Sequence, residues 1–361
     1  MYSSLIRPIF FSMDPERAHD LMRFGAQFAN NKPAISALRA VCRVEDPRLN
    51  VSVAGLSFEN PIGLAAGLDK NVELLGLCAG MGFGHLELGT VTAQPQPGNP
   101  KPRIFRFAED SALINRMGFP SEGADEVELR LAHARRTLAP LPPLGINIGK
   151  SKMVELDKAI DDYRYSFEKL APHAEYVTVN VSSPNTQGLR QLQERGRLHE
   201  LLSTLSGVNI LKKPIFVKVA PDLEFSALDE VVEVCGETGI AGIIATNTTL
   251  TRKGLSVATS EAGGLSGAPL RERSLEVVRY LGRALGGRMA LIGVGGISTA
   301  QDALSMIGAG ASMVQIYTAM IYEGPGIVRA LNTGLLSFMD KGGYRTLREA
   351  GEACIERRKV A

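Results

Sequence analysis

The chain has 361 residues, 45% of them hydrophobic and 22% charged, with a formal net charge of +2. That composition is globular and long enough for a large core, and a near-neutral balance without blocks of like charge gives no footing for nucleic-acid binding. Cys42, Cys78, Cys235 and Cys354 stand far apart, which excludes a Cys-x-x-Cys zinc or redox pair, argues against a disulfide framework and suits a reducing compartment.

At the N-terminus, Leu5, Ile6, Ile9, Phe10 and Phe11 form an apolar patch beside Arg7. It is short, interrupted by Pro8 and succeeded by no small-residue cleavage site, so it does not read as a signal peptide. No apolar run reaches the roughly 18–20 residues of a membrane-spanning helix. Asp14 and Pro15 suit the cap and first position of a helix in which Ala18, Leu21, Met22, Gly25, Phe28 and Ala29 recur at helical spacing. The first 45 residues therefore predict two short helices. Their apolar faces either pack on the rest of the chain or lie at a membrane surface, with Arg17 and Arg23 toward anionic lipid. Residues 49–53 and 56–58 flank Ala54-Gly55 as a hairpin, expected to plug one end of the fold built by the later residues.

From residue 60, short β-rich runs alternate with helical stretches. The candidate strands are 62–66, 85–89, 144–148, 176–181, 215–219, 242–245, 290–294 and 313–317. Several are nearly continuous apolar runs, as parallel strands covered on both faces require. Eight strands alternating with helices predict an α/β fold, a (β/α)8 TIM barrel with a small N-terminal helical extension; a doubly wound open sheet is the alternative. The parts are then an N-terminal extension over 1–45, the barrel over 46–338 and a polar C-terminal tail over 339–361. Within the barrel, 94–143 is spare length, predicted as a Pro-rich loop and a helix.

Barrel active sites lie at the C-terminal ends of the strands. Here those ends hold Ala66-Gly67-Leu68-Asp69-Lys70, Gly89-Thr90, Asn147, Asn180-Val181-Ser182-Ser183-Pro184-Asn185-Thr186, Lys218, Thr246-Asn247-Thr248-Thr249, Gly293-Val294-Gly295-Gly296 and Tyr317-Thr318. Asparagine is depleted in strands, and a single one often caps a turn. Three converging at one mouth, Asn147, Asn180 and Asn247, offer paired donors and acceptors to a small, flat ligand with alternating N–H and C=O groups. Gly264-Leu265-Ser266-Gly267 reads as a further glycine-rich top. With Gly296 and Tyr317-Thr318 it predicts a phosphate site in the usual barrel position. Lys218 is embedded in a buried strand and needs an anionic partner, expected to be a phosphate-bearing, electron-accepting cofactor. Lys70 comes after a Gly-Leu-Asp turn, within reach of the ligand. None of the five histidines falls at a strand end: His85 reads as structural, and His19, His133, His173 and His199 as exposed helical residues. Without metal-ligand spacing, neither a metal nor a histidine base is expected.

These motifs, together with Asn115-Arg116-Met117-Gly118-Phe119 and continuing to about residue 338, resemble those of the dihydroorotate dehydrogenases. The nearer match is the class 2, quinone-reducing, membrane-associated branch. Ser183 stands where class 1 members carry cysteine, and class 1 lacks the extension with Met13-Asp14-Pro15-Glu16-Arg17-Ala18-His19. The resemblance implies FMN held by Ala66, Gly67, Leu68, Asp69, Lys70, Thr90, Asn147, Asn180, Lys218, Thr246, Gly267, Gly296, Tyr317 and Thr318. It implies dihydroorotate held by Lys70, Asn115, Arg116, Met117, Gly118, Phe119, Asn180, Asn185, Asn247 and Thr248. Ser183 would take the proton from C5 while hydride leaves C6 for flavin N5, with Thr186 as the candidate relay. The implied reaction is oxidation to orotate in pyrimidine (UMP) biosynthesis. A quinone would be the acceptor, at the cytoplasmic face of the cell membrane, with peripheral lipid contact and no obligatory protein partner. Pro120 and Ala319 depart from the expected asparagine and glycine, at positions not expected to touch the ring. The alternatives are a class 1-like enzyme with a soluble acceptor, a phosphate-binding barrel enzyme without flavin, and an inactive barrel acting as a binding module.

Overall fold

Residues buried on both faces must satisfy their backbone within the sheet, and here the sheet closes on itself. The computed structural model describes residues 2–360. Its barrel strands are β3 (Ile62–Leu64), β4 (His85–Val91), β7 (Leu144–Ile148), β8 (Tyr176–Asn180), β9 (Ile215–Val219), β10 (Gly242–Ala245), β12 (Ala290–Val294) and β13 (Met313–Ile316). They pair in parallel in the closed order β10-β12-β13-β3-β4-β7-β8-β9. The barrel is thus the predicted one rather than an open sheet. Its register sets Asn180 beside Lys218 and Gly89 beside Asn147.

The hairpin of β1 (Val51–Val53) and β2 (Leu56–Phe58) closes the base, as expected. Val53 and Phe58 belong to one apolar cluster with Tyr176, Phe216, Ile244, Ile292 and Met313 inside the barrel. The Phe58 ring meets His85 edge-on at 5.4 Å, and Tyr176 meets Phe216 at 5.3 Å. His85 is structural, as its position predicts: burial pushes its imidazole down to about 3, so it is neutral.

Three regions depart from expectation. The 94–143 segment contains β5 (Ile104–Phe107) and β6 (Ala112–Asn115), an antiparallel pair joined by a third strand, β11 (Gly264–Gly267). Residues 264–267 are therefore the edge of a small accessory sheet, not a barrel strand end. Strands of four residues around a polar turn carry too little periodicity to be read. At the N-terminus there are three helices rather than two, after a π-helical turn at Tyr2–Ile6: α1 (Arg7–Ser12), α2 (Pro15–Ala26) and α3 (Lys32–Cys42). Asp14 caps α2 as predicted, accepting from the Glu16 and Arg17 N–H groups. Asn31 caps α3 in the same way. Last, the polar tail is a helix, Leu347–Val360, packed on the helix Ala300–Gly308. Ala350 and Cys354 are fully buried there. A Cβ on Gly351 would stand 2.6 Å from the Gly308 nitrogen, so glycine permits the close approach. Small residues at helical spacing hide such a face from a hydrophobicity reading.

Because the plug fills the barrel base, Phe58→Ala should cost about 3–5 kcal/mol of stability. Urea unfolding should show a lowered midpoint with an unchanged slope; a midpoint equal to wild type would show that the hairpin does not support the barrel.

Candidate active site

Above the apolar plug, the barrel interior turns polar. Glu87 on β4 is fully buried, and its Oε1 accepts from Asn147 Nδ2 at 2.8 Å. Its Oε2 accepts from Gln315 Nε2 at 2.8 Å and from Tyr176 Oη at 3.4 Å. Lys218 Nζ lies 3.8 Å from Oε1. The anionic partner that a buried lysine requires is thus already within the protein, where the sequence predicts a cofactor phosphate. Burial holds the Lys218 ammonium below its ordinary value, and Glu87 opposes that shift without cancelling it. Sequence reasoning overlooked Glu87, although an acidic residue within His85-Leu86-Glu87-Leu88 is the same signal that singles out Lys218.

The asparagines converge as predicted. Asn180 Nδ2 donates to Thr90 Oγ1 at 2.9 Å and to Asn147 Oδ1 at 3.1 Å. Asn247 Nδ2 donates to Ser182 Oγ at 3.0 Å and to Asn180 Oδ1 at 3.3 Å. Asn185 Nδ2 donates to Asn115 Oδ1 at 3.2 Å, and the Asn185 N–H donates to Ser183 Oγ at 3.2 Å. Such a network holds each amide in one orientation.

These groups face a cavity of about 590 Å³, within the usual range for a small-molecule site. Of the predicted residues, Ala66, Gly67, Leu68, Lys70, Thr90, Asn115, Met117, Gly118, Phe119 and Asn180 line it. So do Ser183, Asn185, Lys218, Thr246, Asn247, Thr248, Gly267, Gly296, Tyr317 and Thr318. Thr186, the candidate relay, does not, nor do three of the predicted ligands. Asn147 stands behind Thr90 and Asn180. The Asp69 carboxylate is buried, accepting from the Glu73 and Leu74 N–H groups at 2.8 and 3.0 Å, and burial raises it to about 6. Arg116 turns away: its guanidinium pairs with Glu261 at 2.6 Å and stacks 4.5 Å over the Phe105 ring. Ala319 does line the cavity, so this departure lies closer to the site than expected.

Lys70 Nζ donates to the Gly67 carbonyl. The surface it retains opens on the cavity, and desolvation, then the charge of Arg103, lowers its ammonium to about 8. Thr246 Oγ1 and Thr186 Oγ1 are buried and have no hydrogen-bond partner. Gly295 and Gly296 have φ of 124° and 70°, turns that favour glycine, and both border the cavity.

The cavity continues outward between the N-terminal helices, past Tyr2, Ile6, Phe10, Phe11, Ala18 and Met22. His19, expected to be exposed, lines this passage; burial, then the charges of Lys70 and Arg23, holds it down to about 4, so it is neutral. Arg106 and Tyr322 also line it. Arg106 donates to the Phe10 carbonyl at 2.7 Å, and Tyr322 Oη to the Ala112 carbonyl at 2.8 Å. The outer faces are apolar: Leu5 and Ile9 are each 62% exposed, Phe24 61% and Phe28 70%. The predicted stripe on α2 therefore divides. Ala18 is buried and Met22 packs on the core, while Leu21 and Phe28 face out with Phe24. Arg23 is engaged by Asp20 and Glu73 rather than free. Among the described residues, no helix is long and apolar enough to cross a membrane, and no group of side chains is arranged to hold a metal.

A family model described as dihydroorotate dehydrogenase matches residues 48–339. The chain is 49% identical over 346 residues to a dihydroorotate dehydrogenase (quinone) of Gloeobacter violaceus, covering 96% of this chain and 97% of the relative. It is 45% identical over 350 residues to the protein of that name from Halobacterium salinarum, covering 96% and 98%. The crystal structure of DHODH from Eimeria tenella in complex with ferulenol superposes with a TM-score of 0.84 at 38% identity, over 95% of this chain and 97% of that one.

Proposed function

The chain belongs to the dihydroorotate dehydrogenase family, carries FMN and oxidises dihydroorotate with a quinone as acceptor, and from that premise we propose how its residues divide the work. One observation carries the assignment: Ser183, Lys70, Lys218, Asn115, Asn180, Asn185 and Asn247 line a single cavity that leads out between apolar helices.

The residues present fit FMN. Thr246 Oγ1 is a buried hydroxyl left for a ligand, and Gly267, Gly296 and the start of the helix Thr318–Glu323 turn backbone toward the cavity. Ala66, Gly67, Thr90, Asn180, Lys218, Thr246, Gly267, Gly296, Tyr317 and Thr318 hold the cofactor, and Asn147 acts by fixing Thr90 and Asn180. When bound, FMN accepts the two electrons of the oxidation and releases them to the quinone. Dihydroorotate lies among Asn115, Asn180, Asn185, Asn247 and Thr248, whose amides and hydroxyl suit its imide edge, with Lys70 at its carboxylate. Ser183 takes the proton from C5. The Asn185 N–H orients its oxygen, and Thr186, with its free hydroxyl, relays the proton onward.

The N-terminal part, 1–45, gives the quinone its access. Leu5, Ile9, Leu21, Phe24 and Phe28 rest in the membrane interface, a peripheral attachment at the cytoplasmic face. The apolar passage past His19, Arg106 and Tyr322 admits the quinone head group.

Ser183→Ala should slow anaerobic dihydroorotate-driven flavin bleaching by about 10²–10⁴-fold with FMN still bound; unchanged kinetics would remove Ser183 from the role. Orotate, titrated against the flavin spectrum, should bind about tenfold or more weakly to Lys70→Ala. In wild type its affinity should be level below about 8, where Lys70 is charged, and decline above it; a pH dependence retained in Lys70→Ala would refute the pairing. The triple variant L21S/F24S/F28S should lose lipid-vesicle binding by roughly a hundredfold or more, since each buried apolar side chain contributes about 1.5–3 kcal/mol. It should keep flavin bleaching but turn over a long-tailed quinone poorly. Full vesicle binding in that variant would show that these helices do not meet the membrane.

A further inference from the structure

Lys218 and Glu87 form a buried ion pair whose two members have different surroundings. Glu87 has no contact with the cavity. Its oxygens meet two amide N–H donors, one hydroxyl and one ammonium, a set that suits a carboxylate and leaves no acceptor opposite it. Lys218 borders the cavity, with Glu87 as its ion-pair partner. The donors to Glu87 come from β7, β8 and β13, so the carboxylate is fixed from several sides and the ammonium is fixed against it.

We infer that Glu87 is a positioning residue for Lys218: it holds the ammonium at the cavity wall and keeps it charged, so that the charge presented to the cofactor does not vary with pH. This rests on the placement of FMN beside Lys218 proposed above. An isolated buried ammonium favours its neutral form, and an adjacent carboxylate opposes that. A charged Lys218 favours the negative charge that arrives with electrons, so losing its proton lowers the potential of bound FMN.

The other titratable side chains facing the pair are Tyr176 on β8 and His85 on β4. Burial pushes the first well up and the second down to about 3, so neither changes charge near neutrality. The remaining strands contribute non-titrating groups, among them Asn147, Ile244, Ile292 and Gln315. Tyr317 on the cavity wall is pushed up to about 12. Asp69 near 6 and Lys70 near 8 contribute equally to wild type and variant, so the difference between their profiles reads Lys218.

Glu87→Gln keeps the shape and removes the charge. FMN affinity is measured by fluorescence titration of apoprotein, and the two-electron midpoint potential of bound FMN between about pH 6 and pH 9. In Glu87→Gln, Lys218 should lose its proton within that range. Above that point the potential should fall, relative to wild type, by a further tenfold in equilibrium constant per pH unit, about 30 mV for a two-electron couple. Adding Lys218→Met should abolish the extra fall. A Glu87→Gln profile that tracks wild type with FMN bound overturns the inference, as does an extra fall that survives Lys218→Met. Gln315→Leu strips Glu87 Oε2 of its 2.8 Å donor but keeps the carboxylate; it should track wild type. An extra fall there also overturns the inference, whether or not Glu87→Gln holds FMN. A wild type that binds no FMN refutes the cofactor placement and this inference with it, whereas failure in the variants alone leaves the placement standing.

Discussion

A carboxylate at the centre of a closed barrel constrains everything around it. Burying Glu87 without partners would cost several kcal/mol, so each strand that faces it must supply a donor at one position. Asn147, Tyr176, Lys218 and Gln315 do so from four different strands. Side chains alternate between the two faces of a strand, so a slip of one residue would turn the donor outward. The polar layer therefore specifies register as well as chemistry. The apolar layer beneath it, closed by Val53 and Phe58, keeps water from reaching the carboxylate from below.

The N-terminal helices obey a different constraint. Their inner faces are accounted for by packing: Ala18, Ala26 and Ile35 are buried, and Gly80 admits Leu38 so closely that a Cβ there would come within 2.6 Å of it. Their outer faces are not. Water-facing helices of globular proteins are polar, whereas Leu21, Phe24 and Phe28 share one exposed side of α2 and its continuation. Scattered exposed apolar residues need no explanation, but a contiguous set beside the mouth of a cavity does.

The barrel was legible in the sequence because covered parallel strands are both apolar and short, and because glycine, asparagine and lysine at their ends break that pattern. Family motifs then supplied the ligands. The failures have physical causes. Arg116 lies inside a matching motif, yet its side chain goes to Glu261 and Phe105, and a motif specifies the backbone path better than the direction of a long side chain. Asp69 lies inside a matching motif too, yet its carboxylate caps the next segment of chain. His19 looked exposed because one helical turn does not reveal what packs against it. The accessory sheet of β5, β6 and β11 joins residues far apart in the chain, and local periodicity cannot report such pairing. Glu87 carries the same signal as Lys218, a charge inside an apolar strand, but it sits in the middle of its strand, away from the end where barrel sites lie.

The cavity has two unlike ends, and that difference bears on why the reaction needs a carrier. The inner end, with Lys70, Lys218 and the asparagines, suits a small anion that arrives from water. The outer end, between Ile6, Phe10, Phe11 and Met22, suits an apolar molecule such as the quinone. Neither reactant gains by entering the other's compartment: the anion would lose its hydrogen bonds among the phenylalanines, and the quinone's tail would find no apolar contacts among the amides. The two therefore react without meeting, and the electrons pass through a group held between them. On the placement proposed for FMN, Lys218, paired with Glu87 at 3.8 Å, would border the group that takes electrons from one side and yields them to the other. A fixed charge serves both directions better than a mobile one, because it needs no rearrangement between the two half-reactions.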